Sequence, residues 1–404
     1  MKPDKIVDGV YRVAAAVGEK DLFEGIWPID NGVMLNSYVV QGSEKTAFID
    51  LVKDWDGALS TVEKQLAELD VTIESLDYLI LNHMEPDHTG SLGEVFKRNP
   101  NIQIVCTKKA EALVNTFYNI YDHIHVVVDG DTIDLGGKTL VFYETPNIHW
   151  PETMMTYLLE DKILFSCDAF GSFGRYEHAF DDELTQQEWD LLIPETQRYY
   201  ANIVSTFSPF VIKGIEKLAS LDIQVVAPSH GVIWREDPQK IIGLYNDYAH
   251  WMNGPANKEV TFIYSTMYGN TAALVDLIKT TLEDEGIVVH LHQVPQEHVS
   301  YVLSSAWRSS GLVIGMPTYE YRMFPPMYHV LDILDRSHLK NRKVIRFGSY
   351  GWSGGAQKQF EPFIDSLKWD KLGVIEYQGA PSEEDKQKAV EAAKALAQAV
   401  KEWN

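Results

Sequence analysis

The stretch Leu79-Ile-Leu-Asn-His83-Met-Glu85-Pro-Asp87-His88-Thr-Gly90 leaves an apolar run and enters a polar loop ahead of a helical segment. It sets four possible metal ligands within six residues. Imidazole and carboxylate groups are the donors that hold hard or borderline cations. Alone, the cluster equally describes a solvated loop or a helix cap. Three further positions repeat the pattern: His149 in Pro146-Asn-Ile-His-Trp-Pro151, Asp168 after Ile163-Leu-Phe-Ser166, and His230 in Ala-Pro-Ser-His-Gly after Val225-Val226. Four strand ends that offer His or carboxylate toward one edge suit a two-metal site between layered sheets. Cys167, beside Asp168, reads as a small buried filler. Tyr199 and Tyr200 lie on an expected helix and read as core packing, with a proton source near the metals as the alternative.

A second constellation follows the run Val260 to Tyr264, where Ser265, Thr266, Met267, Tyr268, Gly269, Asn270 and Thr271 open a helix. Hydroxyls and free backbone N–H groups at a helix N-terminus form an anion site that fits the terminal phosphate of a mononucleotide. As an isolated loop it also reads as a plain Ser/Thr cap. The G-x-G-x-x-G pattern and the P-loop lysine are both missing, which disfavours NAD and ATP. Two later loops carry Pro317, Thr318, Tyr319 and Glu320, and Ser349, Tyr350, Gly351, Trp352, Ser353 and Gly354. Small residues let backbone approach a flat ring, and Tyr319, Tyr350 and Trp352 supply its walls.

The elements that must position these groups change character near residue 255. Upstream, Ser37 to Val40 and Thr46 to Leu51 flank a turn, as do Met154 to Leu159 and Lys162 to Ser166, so hairpins in an antiparallel-rich layer are expected. Helical stretches are expected at Trp55 to Leu69, at Gly90 to Asn99, and at Leu184 to Leu218 with a break at Pro209. The polar segment around Gly254-Pro255 reads as a linker. Downstream, apolar runs at Val260–Tyr264, Val288–Val294, Gly311–Gly315, Val344–Phe347 and Val374–Tyr377 alternate with helix-length segments, as in a parallel doubly wound sheet. A final helix starts at Ser382, with Asp385 completing a capping box and Val390, Ala393, Ala397 and Val400 facing inward.

The chain has 404 residues, 45% apolar and 23% charged, which is ordinary globular composition with room for two or three domains. Its net charge of −23 repels phosphate backbones and anionic lipid, so neither nucleic acid nor a membrane is expected as partner. The N-terminus lacks a signal-peptide core and no run approaches membrane-span length, which predicts a soluble, cytoplasmic protein. Two cysteines without a C-x-x-C pair, Cys106 and Cys167, exclude a thiolate-held iron or zinc centre within the chain.

The ligand series resembles the H-x-H-x-D-H signature of the metallo-β-lactamase family, with Glu85 in place of its second histidine, while the three downstream loops resemble flavodoxins. The combination is similar to the flavodiiron proteins. That resemblance implies an N-terminal metallo-β-lactamase-like αββα sandwich (1–250), a linker (251–258) and a C-terminal flavodoxin-like five-stranded domain (259–404), an α+β half followed by an α/β half. It implies two non-haem irons, one held by His83, Glu85 and His149, the other by Asp87 and His230, with Asp168 as bridge and His88 set outside the ligand shell. It further implies FMN, reduction of dioxygen to water or nitric oxide to nitrous oxide as a scavenging defence, and rubredoxin or a similar small donor. A head-to-tail homodimer or dimer of dimers completes the expectation. Because no rubredoxin or reductase segment follows, the minimal two-domain class is expected. A zinc hydrolase with an accessory flavodoxin-like domain and a non-enzymatic flavin electron carrier are the competing readings. Metal analysis separates the first, and the six ligand-type residues speak against the second.

Overall fold

β-Branched runs such as Val10–Val17 and Val33–Gln41 pair antiparallel, Val13 opposite Ser37, and start the first of two sheets. The computed structural model describes residues 2–18 and 20–403. The chain divides into two units, 1–246 and 247–404. Helix Pro238–Trp251 runs across the division, and the first strand of the second unit starts at Asn257.

In the first unit a seven-stranded sheet follows chain order: Asp4–Val7, Val10–Val17, Val33–Gln41, Thr46–Ile49, Tyr78–Ile80, Gln103–Cys106 and Ile124–Val126. A five-stranded sheet likewise follows chain order through Thr132–Asp134, Thr139–Glu144, Met154–Leu158, Ile163–Cys167 and Val225–Pro228. Tyr38, Ile49, Ile80 and Val105 of one sheet pack with Leu140, Phe142, Leu158 and Phe165 of the other, so the core is the layer between the sheets. Helix Ala58–Glu68 covers the outside of the first sheet, where Gln65 bonds both the amide and the carbonyl of Ala14. The arrangement is an αββα sandwich.

One expectation is refined and one is corrected. The expected hairpins form, but the sheets are mixed: Thr46–Ile49, Tyr78–Ile80, Gln103–Cys106 and Ile124–Val126 run parallel to one another, as do Ile163–Cys167 and Val225–Pro228. Long crossovers, not tight turns, join those pairs, and crossovers permit parallel pairing. The break in the long helix also falls earlier than Pro209. Helix Gln186–Tyr199 passes into a π turn at Tyr200–Val204 and a 3₁₀ turn at Ser205–Phe207, and Pro209 instead sits in the first turn of helix Ser208–Leu218. There its missing N–H costs nothing.

The second unit holds one five-stranded sheet, all parallel, in spatial order Val288–Gln293, Asn257–Tyr264, Ser309–Gly315, Lys343–Tyr350 and Asp370–Gln378. This 2-1-3-4-5 order makes a switch point between the first and third strands, where open α/β sheets take their ligands. The last helix, Glu383–Glu402, starts in the expected capping box of Ser382 and Asp385. Ala389, Ala393, Leu396, Ala397 and Val400 are its buried face, and Val390 turns to the half-buried flank. Among the described residues no helix is long and apolar enough to cross a membrane.

Candidate functional site

Strand Tyr78–Ile80 ends two residues before the loop that carries His83, Glu85 and, on the short helix Pro86–Thr89, Asp87 and His88. His149 lies in the loop after Thr139–Glu144, Asp168 directly follows Ile163–Cys167, and His230 comes two residues after Val225–Pro228. The sheets therefore deliver all six expected residues to one place. Asp168 Oδ2 lies 3.3 Å from His83 Nε2 and 3.4 Å from His149 Nε2, and Glu85 Oε2 lies 3.0 Å from His149 Nε2. Asp168 Oδ1 lies 3.2 Å from His230 Nε2, and Asp87 Oδ2 lies 3.2 Å from that same nitrogen. One carboxylate thus faces two separate histidine groups.

His88 departs from expectation. Its Nε2 is 3.0 Å from Asp168 Oδ1 and 3.4 Å from Asp87 Oδ2, so the structure brings it into the second group. The last histidine of the H-x-H-x-D-H pattern carried that signal.

Electrostatics bind the cluster together. Burial opposes the charge on Asp168, but His88, His149 and His230 outweigh it and hold the carboxyl well below its usual range. Burial likewise pulls His88 down, yet Asp87, Asp168 and Asp50 push it up to about 10, and similar pairing with Asp168 and Asp87 brings His230 to about 9. His83 and His230 have no exposed surface. Even so, Asp87 Oδ1 and Oδ2, His149 Nε2, Asp168 Oδ2 and His230 Nε2 are buried without an aligned hydrogen bond. Leaving such groups unsatisfied is costly, and lone pairs converging from imidazole and carboxylate fit a pair of cations.

The outer nitrogens are spoken for. His83 Nδ1 donates to Glu152 Oε1 at 2.9 Å, and Glu152 Oε1 also accepts the Met84 amide. His230 Nδ1 donates to the Met34 carbonyl at 2.8 Å. Each bond fixes the tautomer that turns Nε2 inward. Tyr199 donates its hydroxyl to Asp168 Oδ1 at 3.1 Å, whereas Tyr200 bonds Ser208. Tyr199 is therefore at the site and Tyr200 is packing. A cavity of about 380 Å³ opens beside Glu85 and Asp87, lined also by Phe23, Glu24, Lys53 and Trp55. Burial and the neighbouring Glu85 push Glu24 up to about 7. None of Glu152, Glu24 or the Met34 carbonyl stands out in the sequence, because each reaches the site by tertiary contact alone.

In the second unit a cavity of about 360 Å³ is lined by Thr266, Met267, Tyr268, Asn270 and Thr271, by Pro317, Thr318, Tyr319 and Glu320, and by Ser349, Tyr350, Gly351 and Trp352. All three expected loops converge there. Thr266 Oγ1 accepts the Gly269 amide, and Tyr268 and Trp352 are 93% and 76% exposed, leaving aromatic faces open to a planar ring. Ser265, Gly269, Ser353 and Gly354 do not line it; Ser265 donates its hydroxyl to the Val294 carbonyl instead. Gly379 lines the cavity and was not expected. Volume, open aromatic faces and the Ser/Thr-rich helix start fit FMN.

Fold and sites together define a two-unit protein, a lactamase-like metal half followed by a flavodoxin half. Residues 33–231 match the family described as ODP family beta lactamase, and residues 262–392 match Flavodoxin. The chain is 39% identical over 331 residues to an anaerobic nitric oxide reductase flavorubredoxin of Pectobacterium carotovorum subsp. carotovorum, a match covering 80% of this chain and 64% of that protein. A protein of the same description from Aeromonas hydrophila subsp. hydrophila is 37% identical over 88% of this chain and 72% of its own length. The structure is similar to the rubredoxin oxygen:oxidoreductase of Desulfovibrio gigas, with a TM-score of 0.92, 27% identity and 99% of each chain covered. It is also similar to the flavodiiron protein of Giardia intestinalis, with a TM-score of 0.92, 26% identity and 99% and 97% covered. The chain belongs to the flavodiiron protein family, and the cofactors of that family are two irons and FMN.

Proposed function

We propose that the protein is an oxidoreductase that reduces nitric oxide to nitrous oxide, dioxygen to water, or both. Electrons enter from an external donor such as rubredoxin and reach a diiron site through FMN. The carrying observation is Asp168, whose two oxygens face two separate histidine groups in a chain that also presents a flavodoxin-type cavity. Irons held there would supply exchangeable electrons and Lewis acidity, and bound FMN would supply a further electron store.

The chain's own residues do the rest. His83, Glu85 and His149 would hold one metal and Asp87, His230 and His88 the other, with Asp168 placed between the two groups. Glu152 and the Met34 carbonyl keep His83 and His230 turned inward. Turning either gas into product consumes protons as well as electrons. Tyr199 holds one against Asp168 Oδ1, and Glu24, which lines the cavity beside Glu85, has its carboxyl raised above the ordinary range. The chain has two cysteines, both buried, and a four-cysteine iron centre needs twice as many, which supports a separate donor. A head-to-tail homodimer, which in this family brings the flavin of one subunit to the irons of the other, a cytoplasmic location and a role in oxidative or nitrosative defence complete the reading.

Anaerobic stopped-flow with reduced rubredoxin tests it, with flavin and iron absorbance followed as dioxygen or nitric oxide is supplied in turn. Reoxidation by at least one gas faster than free FMN is the expected result. Asp168→Asn should abolish activity and lose one or both metals while FMN stays bound. A fully active, iron-replete variant would sink the assignment.

A further inference from the structure

Arg346, on strand Lys343–Tyr350, has no exposed surface, a rare position for an arginine. Its Nη1 lies 2.8 Å from Glu376 Oε1 on the neighbouring strand, and its Nη2 donates a 3.4 Å bond to the Met316 carbonyl. Neither Arg346 Nε nor Nη1 has an aligned acceptor, and Glu376 Oε1 has no aligned donor, so charge rather than hydrogen-bond geometry holds the pair. Burial pulls the guanidinium below its ordinary range, and Glu376 opposes that pull.

Arg346 bonds the start of one loop of the flavin cavity, and Glu376 lies close to Gly354, at the end of another. Met316 starts the loop that carries Pro317, Thr318 and Tyr319 and packs on bare backbone: a Cβ at Gly348 would stand 1.7 Å from its carbonyl oxygen. A Cβ at Gly354 would stand 3.5 Å from Glu376 Oε2, which puts that carboxylate under the other loop. Reducing a flavin adds electrons to the ring, and fixed charges in a low-dielectric interior are weakly screened.

We propose that the Arg346–Glu376 pair positions the two ring-binding loops and sets the reduction potential of the bound FMN through its charge balance. The inference rests on the reading that this unit binds FMN. Losing Glu376 leaves Arg346 as an uncompensated buried charge, and losing Arg346 leaves the partly exposed Glu376 unpaired. The two single variants should therefore move the potential in opposite directions.

The test uses full-length protein stripped of flavin, then titrated with FMN by fluorescence quenching and examined by spectroelectrochemistry. Arg346→Met should weaken FMN binding by about tenfold or more and lower its potential, while Arg346→Lys stays close to the parent. Glu376→Gln should raise the potential, and the double variant should return it toward the parent value. Glu376 is partly exposed, so its variant carries the test alone if Arg346→Met does not fold. Single variants that shift the potential the same way, or not at all, overturn the inference and leave FMN binding standing. Parent protein that takes up no FMN overturns the functional reading itself.

Discussion

Glu152 is not itself among the expected ligands, yet its Oε1 orients His83 and also accepts the Met84 amide. Glu152→Gln should lower metal affinity about 10- to 100-fold without unfolding the protein, measured by chelator competition. Tyr199→Phe removes the hydroxyl on Asp168 Oδ1 and leaves the ring in its edge contact with Phe173. It should reduce turnover by on the order of 10²-fold while iron content stays at the parent value. The six ligand positions were legible because each follows a strand end, a local pattern. Glu152, 69 residues from His83, was not legible as a site residue, and Tyr199, 31 residues from Asp168, was legible only as the alternative to core packing, since only the folded sheets bring them close. His88 is a different case: its place in the motif was visible, but the direction of its ring was not.

Helix Gln186–Tyr199 must be anchored firmly to hold Tyr199 in place. It starts in a capping box in which Thr185 Oγ1 accepts the Glu188 amide and Glu188 Oε2 accepts the amide and hydroxyl of Thr185. Glu188 also accepts the Glu177 and His178 amides and pairs with the His178 ring, clamping that loop to the helix. Thr185→Ala should cost about 1 kcal/mol in chemical denaturation. Burial is the largest single influence and opposes the Glu188 charge, but the Thr185 amide, the His178 ring and the Thr185 hydroxyl together outweigh it and hold the carboxyl at about 2. A depressed carboxylate stabilises the fold above its unfolded pKa and ceases to do so as pH falls through the folded value. The Glu188 contribution is therefore intact above about pH 4.5 and lost toward pH 2, and Glu188→Gln should flatten that part of an acid-denaturation profile. Apolar spacing located this helix, but not the π turn after Tyr199. An inserted residue leaves the apolar face almost unchanged and is decided by packing.

At the scale of the whole molecule, each unit has its own core, one between the two sheets of the first and one in the flavodoxin-like second. Two thermal transitions are expected by calorimetry. FMN at a hundred times its Kd should raise one transition, by about 2.7 kcal/mol of stabilisation, and ferrous iron should raise the other. A single transition shifted by both additions would contradict that expectation. The parallel order of the second unit was legible from its alternating runs. The parallel pairs of the first unit were not, because short strands with long crossovers and hairpin strands look alike in sequence.

Both cysteines are sealed in this architecture: Cys106 and Cys167 are buried, and burial pushes the Cys106 thiol up to about 12. A thiol kept buried and protonated is a poor nucleophile toward reagents in solution. The same seal makes the surface chemically silent toward maleimides, so one cysteine placed at a chosen exposed position would be a unique attachment point for a fluorophore or an electrode.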